Sequence, residues 1–235
     1  MDNAPTPPAE YAPLTDVRQK IAKTAAIARR GVDDITLVAV SKTHPPERIV
    51  PLLDAGHRVF GENRVQEAAE KWPGLRSRYD GVGDDVELHL IGQLQSNKAD
   101  DAVALFDCIH SLDRPSLLKA LAKAMDKAGR RVPCFIQVNV GDEEQKGGVA
   151  LDALPDFIEK VRARHIPIAG LMCLPPADIE PAPFFALMAK LAEKHGPPAR
   201  SLGLSMGMSG DYPTAIMLGA THIRVGSALF GQRDT

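Results

Sequence analysis

Short apolar runs alternate with amphipathic stretches along nearly the whole chain. The first run is ITLVAVS (Ile35–Ser41), preceded by a stretch around Thr15–Arg30 that predicts a leading helix. RVFGE (Arg58–Glu62), ELHLIG (Glu87–Gly92), CIHSL (Cys108–Leu112) and CFIQVNV (Cys134–Val140) follow. The series ends with IAGLMCL (Ile168–Leu174), SLGLS (Ser201–Ser205) and THIRVGS (Thr221–Ser227). Helices are predicted from near Pro46, from Arg64, from about Ser96, from Pro115, from about Leu151, around Pro183–His195 and near Tyr212–Leu218. Pro46 suits a first helical turn, where its missing N–H is not needed.

Eight strands, each followed by a helix or the chain end, point to a single (β/α)8 TIM barrel with an extra N-terminal helix. Several runs are continuously apolar, as expected of parallel strands buried on both faces. The alternative is an open, doubly wound sheet. Residues 1–14 are expected to be a flexible tail and residues 15–235 the barrel, with DGVGDD (Asp80–Asp85) a loop and not a domain boundary.

Composition narrows the function classes. The chain has 235 residues, 44% of them hydrophobic and 25% charged, with a formal net charge of −2. That balance gives no electrostatic reason to expect nucleic acid or an anionic membrane as partner. No apolar run approaches bilayer-spanning length, and the Pro/Ala-rich start does not resemble a signal peptide, so a cytoplasmic location is expected. Cys108, Cys134 and Cys173 lack metal-ligand spacing and are expected as buried thiols.

A barrel carries its chemistry where the strands end. The first strand ends in Val40-Ser41-Lys42-Thr43-His44. A lysine at the edge of an apolar barrel is partly desolvated, which lowers an amine's pKa as Schiff-base chemistry requires; an exposed loop lysine is the bland alternative. Leu204-Ser205-Met206-Gly207-Met208-Ser209-Gly210-Asp211 after strand seven offers hydroxyls, glycines and a helix start, the parts of an anion site. Gly226-Ser227 adds a second small turn after strand eight, although two ordinary turns would look the same. Arg224 sits inside an apolar strand and needs a partner: a cofactor ring nitrogen, or structurally a carboxylate such as Glu62.

Taken together, AVSKTH, FGENRVQE, HLIGQLQSNK, LSMGMSGD and RVGSALFG run in order from about Leu37 to Arg233. In that combination the chain resembles the YggS/PROSC family of pyridoxal 5′-phosphate (PLP) homeostasis proteins. The family is similar to the N-terminal barrel domain of alanine racemase, a fold-type III PLP-binding barrel. The resemblance implies PLP as cofactor, held as an internal aldimine on Lys42. It implies Ser209, Gly226 and Ser227 as phosphate ligands with Met208 contributing backbone, Arg224 as partner of the pyridine nitrogen, and Asn63 near the ring. Gly226-Ser227 stands where the family usually has Gly-Thr, so the hydroxyl is retained.

An arginine at the pyridine nitrogen disfavours the protonated ring and weakens carbanion chemistry. The chain is expected to stop before any second domain carrying an opposing tyrosine base, and Tyr11, Tyr79 and Tyr212 fall on no suitable rim motif. The expected function is therefore carriage or buffering of PLP by a monomer, with apo-PLP enzymes as recipients. The alternative is an amino-acid racemase of low activity using Lys42, His44 or His89 as base. Lys98 and Lys146 are candidates for a second, transient aldehyde site, against the plain reading of solvated surface lysines.

Overall fold

The structure, a computed structural model, describes residues 10–81, 85–141, 143, 147–197 and 201–231. Eight parallel strands pair in sequence order: β1 (Thr36–Val40), β2 (Val59–Glu62), β3 (Glu87–Leu90), β4 (Cys108–Leu112), β5 (Cys134–Val138), β6 (Ile168–Cys173), β7 (Gly203–Met208) and β8 (His222–Val225). Leu37 opposite Ile223 and Ala39 opposite Val225 join β1 to β8, and this seam closes the barrel. Closure rules out the open doubly wound sheet.

The helices are α1 (Ala12–Ile27), α2 (Pro46–Asp54), α3 (Val65–Tyr79), α4 (Ala99–Leu105), α5 (Pro115–Ala128), α6 (Leu154–Arg162), α7 (Ala182–His195), α8 (Tyr212–Met217) and α9 (Ser227–Phe230). α5 shows why such stretches fold this way. Leu117, Leu118, Leu121, Ala124 and Met125 recur at helical spacing and are all buried, while Pro115 occupies the first turn. No helix among the described residues is long and apolar enough to cross a membrane.

Four boundaries depart from expectation. α1 begins at Ala12, ahead of Thr15, because Leu14 is buried and the Tyr11 hydroxyl donates to the Leu229 carbonyl at 2.8 Å. Residues 1–9 of the expected tail lie outside the described residues. α6 starts at Leu154 and not Leu151, with Pro155 placed in its first turn. β7 runs on to Met208, so Met206, Gly207 and Met208 are strand and not loop. Ser205 pairs with His222 but Met208 with Arg224, so β7 holds one residue more than β8 over that span. Gly207 makes this possible: its φ is +92°, and a Cβ there would lie 2.6 Å from the Ala215 Cβ. Finally, Ser227 opens the short helix α9 instead of closing a turn.

The core has two parts. Most apolar side chains pack between strands and helices, with Trp72, Phe60, Phe106 and Phe185 fully buried there. A smaller cluster of Cys108, Phe135 and Met172 is separate from it. Phe135 stacks near His110 and His222, with ring centroids 4.4 and 4.9 Å away. His89, His110, Ser205 and Arg224 are buried on β3, β4, β7 and β8, so the barrel carries polar side chains well below its rim. All three cysteines are buried free thiols, and burial pushes Cys134 and Cys173 up to about 12.

Candidate functional site

A cavity of about 360 Å³ opens where the strands end, and Lys42, Asn63, Met208, Ser209, Arg224, Gly226 and Ser227 all line it. Its size falls within the usual range for small-ligand sites. Val40, His44, Ile91, Leu174, Gly210 and Gly231 complete the wall. Of these, Ile91 and Leu174 follow directly after β3 and β6, and that position is the signal that marks them as apolar rim residues. A larger hollow of about 660 Å³ lies against α2, α3 and the loop after β1, away from the other strand ends.

Lys42 follows β1 and is half-buried. The backbone on either side of it is held from α3. Lys71 Nζ donates to the carbonyls of Ser41 (2.9 Å) and His44 (3.1 Å) and contacts the carboxylates of Glu62 (2.8 Å) and Glu67 (2.9 Å). Glu67 also accepts from the N–H of Thr43, whose φ of +64° is uncommon for a β-branched residue. Glu62 is fully buried and further accepts from Ser41 Oγ at 2.7 Å and Trp72 Nε1 at 3.0 Å. Burial raises its carboxyl above the ordinary range, against the pull of Lys71 and Ser41.

Glu62 is therefore not the partner of Arg224, contrary to the structural alternative offered by the sequence. Arg224 is 4% exposed and donates to Ser205 Oγ at 2.6 Å and to the Cys173 carbonyl at 2.9 Å. No carboxylate reaches it among the described residues. Burial lowers its pKa from the ordinary value, yet a guanidinium in a protein stays charged.

Asn63 follows β2, and its backbone is met closely by Gly92, where a Cβ would lie 2.3 Å from the Asn63 carbonyl oxygen. Two small loops form the opposite wall. Gly226 N–H donates to Ser209 Oγ at 3.2 Å, joining the loop after β7 to the start of α9. Met208 N–H is donated to Asp211 Oδ1 at 2.6 Å, so a backbone contribution from Met208 requires that bond to be exchanged.

The other candidates lie elsewhere. No tyrosine lines the cavity: Tyr11 bonds Leu229, Tyr79 bonds Asp54, and Tyr212 is buried under Lys20. His44 stands at the rim stacked on Phe230, with centroids 4.7 Å apart. His89 is buried below, against His110. Lys98 faces a separate hollow between α3 and α4 and approaches Asp101 at 3.6 Å, while Lys146 lies outside the described residues.

Comparison with known proteins agrees with this fold. Residues 15–234 match the model of the alanine racemase N-terminal domain. The pyridoxal phosphate homeostasis protein of Aquifex aeolicus is 38% identical over 226 residues, which cover 94% of this chain and 96% of that protein. The structure of PipY from Synechococcus elongatus PCC7942 without PLP superposes with a TM-score of 0.77 at 37% identity, covering 90% of this chain and all of PipY. The same protein with PLP bound gives 0.72 at 36% identity over the same shares.

Proposed function

The chain belongs to the pyridoxal phosphate homeostasis protein family, and on that premise we propose that its strand-end cavity holds PLP and that the protein carries or buffers the cofactor. The observation that carries the reading is the convergence of one amine, one buried guanidinium and two hydroxyl-bearing small loops on a single cavity. That donor set fits the group. When bound, PLP supplies an aldehyde that condenses reversibly with an amine, and Lys42 is the amine on this wall.

The remaining side chains bind and orient. Ser209 Oγ and Gly226 N–H, now bonded to each other, are the donors that a phosphate would take over, with the exposed Ser227 hydroxyl beside them. Arg224 would meet the ring nitrogen as a donor that does not give up its proton, and so would hold the ring without making it a strong electron sink. Ile91 and Leu174 offer apolar walls, and Asn63 a polar edge. All of these residues come from one chain, so the proposed site needs no second subunit.

The function is tested by transfer. Protein loaded with PLP and freed of excess is mixed with an apo-PLP enzyme, beside a free-PLP control and a scavenger of free PLP. Reactivation of the enzyme that survives the scavenger is expected, without appreciable racemisation, decarboxylation or transamination of common amino acids. Substantial turnover of an amino acid that disappears in Lys42→Ala would instead make the protein an enzyme.

A further inference from the structure

Arg224 is the buried end of a row of polar side chains that crosses the barrel. Its Nη1 lies 2.6 Å from Ser205 Oγ, which lies 2.8 Å from His110 Nδ1. His110 Nε2 lies 3.0 Å from His89 Nδ1, and His89 Nε2 lies 3.5 Å from Glu87 Oε2. Glu87 is the first residue of β3, so the row runs from the cavity at the strand ends to the opposite mouth.

The direction of these bonds follows from elementary chemistry. A guanidinium can only donate, so Ser205 Oγ accepts from Arg224. Ser205 is fully buried, and its own hydrogen finds an acceptor in His110 Nδ1. His110 then carries its proton on Nε2 and donates to His89 Nδ1, and His89 carries its proton on Nε2, facing the Glu87 carboxylate. The opposite order would make Ser205 accept twice and leave its buried hydrogen without an acceptor. Burial above all, with the nearby Arg224 charge, holds His110 well below the usual imidazole range and hence neutral.

We propose that Ser205, His110 and His89 form a one-directional hydrogen-bond relay that positions Arg224 against the ring nitrogen of the cofactor. The part concerning the ring rests on the PLP reading above; the direction of the relay does not. Two bonds from separate nitrogens, to Ser205 and to the Cys173 carbonyl, fix the guanidinium plane. The Glu87 carboxylate favours the same imidazole tautomers, and the His110 tautomer gives the Ser205 hydrogen its acceptor while the Ser205 oxygen accepts from Arg224. Cys108 Sγ lies within 4.8 Å of the ligand atoms of both histidines, so a soft divalent ion would compete with the relay proton for the same nitrogens.

The test has two arms. In the first, cofactor-free protein labelled with ¹⁵N-histidine is examined by long-range ¹H–¹⁵N NMR. Neutral, Nε2-protonated His110 and an Nε2 proton on His89 are expected, with the His110 signals perturbed in Ser205→Ala and restored in Ser205→Thr. Nδ1-protonated His110 in the wild type overturns the relay, and so does stoichiometric zinc in the purified protein bound to these imidazoles. In the second arm, the ring-nitrogen shift of ¹⁵N-labelled PLP and its dissociation rate are measured. Ser205→Ala should move the ring-nitrogen signal and speed release roughly tenfold, the low end of what a hydrogen bond to a charged group is worth, with Ser205→Thr reverting both. An unchanged ring nitrogen in a folded, loaded Ser205→Ala protein overturns the positioning role. If the wild type takes up no PLP, the cofactor reading fails, and the first arm still decides the relay.

Discussion

Lys71 Nζ lies 2.9 Å from the carbonyl oxygen of Ser41, the residue just before Lys42, and reaches the His44 carbonyl just beyond it. The proposed cofactor lysine is thus carried on a loop whose backbone is fixed by a second lysine from α3. The Lys71 side chain is 7% exposed and that of Glu62 fully buried. Breaking one side of such a pair leaves an uncompensated buried charge, which typically costs about 3–5 kcal/mol. Lys71→Met should therefore lower the unfolding free energy by about that much in denaturant titrations. Lys71→Met combined with Glu62→Gln should recover a large part of the loss. Equal instability of the single and double variants would show that the ion pair is not what fixes the loop.

Stability should fall on mild acidification. Burial depresses His57 to about 4 and His222 to about 3, with His110 also well below its usual value. The unfolded chain then binds protons below about pH 6.5 that the folded protein refuses. The stabilising contribution is present above pH 6.5 and is lost as pH falls towards 4 and below, at about 1.4 kcal/mol per pH unit for each group. His57, which bonds the Val59 carbonyl at 2.8 Å away from the cavity, offers the cleanest check. His57→Gln should reduce the pH slope of unfolding between pH 6.5 and 4 by about one proton. An unaltered slope would mean that other groups govern acid sensitivity.

Much of this architecture is legible in the residue pattern. Continuous apolar runs such as LVAV (Leu37–Val40) fix the strands, and the barrel then brings their C-terminal ends together, so Lys42, Asn63 and Arg224 meet although they lie far apart in sequence. What fails is whatever depends on radial direction or on pairing across strands. Met206, Gly207 and Met208 look like a turn because glycine breaks the apolar pattern, yet the extra residue of β7 and the positive φ of Gly207 keep them in the sheet. Charge alone makes Glu62 a reasonable partner for Arg224, but Lys71 and Trp72 of α3, with Ser41 after β1, claim it. Ser205 and His110 look like isolated polar residues in strands β7 and β4, and only closure of the barrel makes them neighbours.

The two hydroxyl loops should discriminate between phosphorylated and unphosphorylated ligand. Ser209 accepts from Gly226 at 3.2 Å, and Ser227 begins the next helix, so the proposed phosphate donors belong to one small wall. Replacing Ser209 and Ser227 together by Ala removes two hydroxyl donors to a charged acceptor, each worth about 1.5–3 kcal/mol. Affinity for PLP should drop by two orders of magnitude or more, on the order of 3 kcal/mol, while that for pyridoxal changes little. Equal losses for the two ligands in equilibrium titrations would move the phosphate elsewhere on the rim.

The most direct test of the account is to find the lysine that takes the cofactor. The full chain is incubated with PLP, its visible absorbance recorded, the mixture reduced with borohydride, and the phosphopyridoxyl group located by peptide mass mapping. A dominant adduct on Lys42 is expected. Lys42→Ala should lose both absorbance and adduct while keeping its circular dichroism and melting temperature, because a half-buried rim side chain carries little core packing. A dominant adduct on Lys98 or Lys146, or one that persists undiminished in Lys42→Ala, would contradict that expectation.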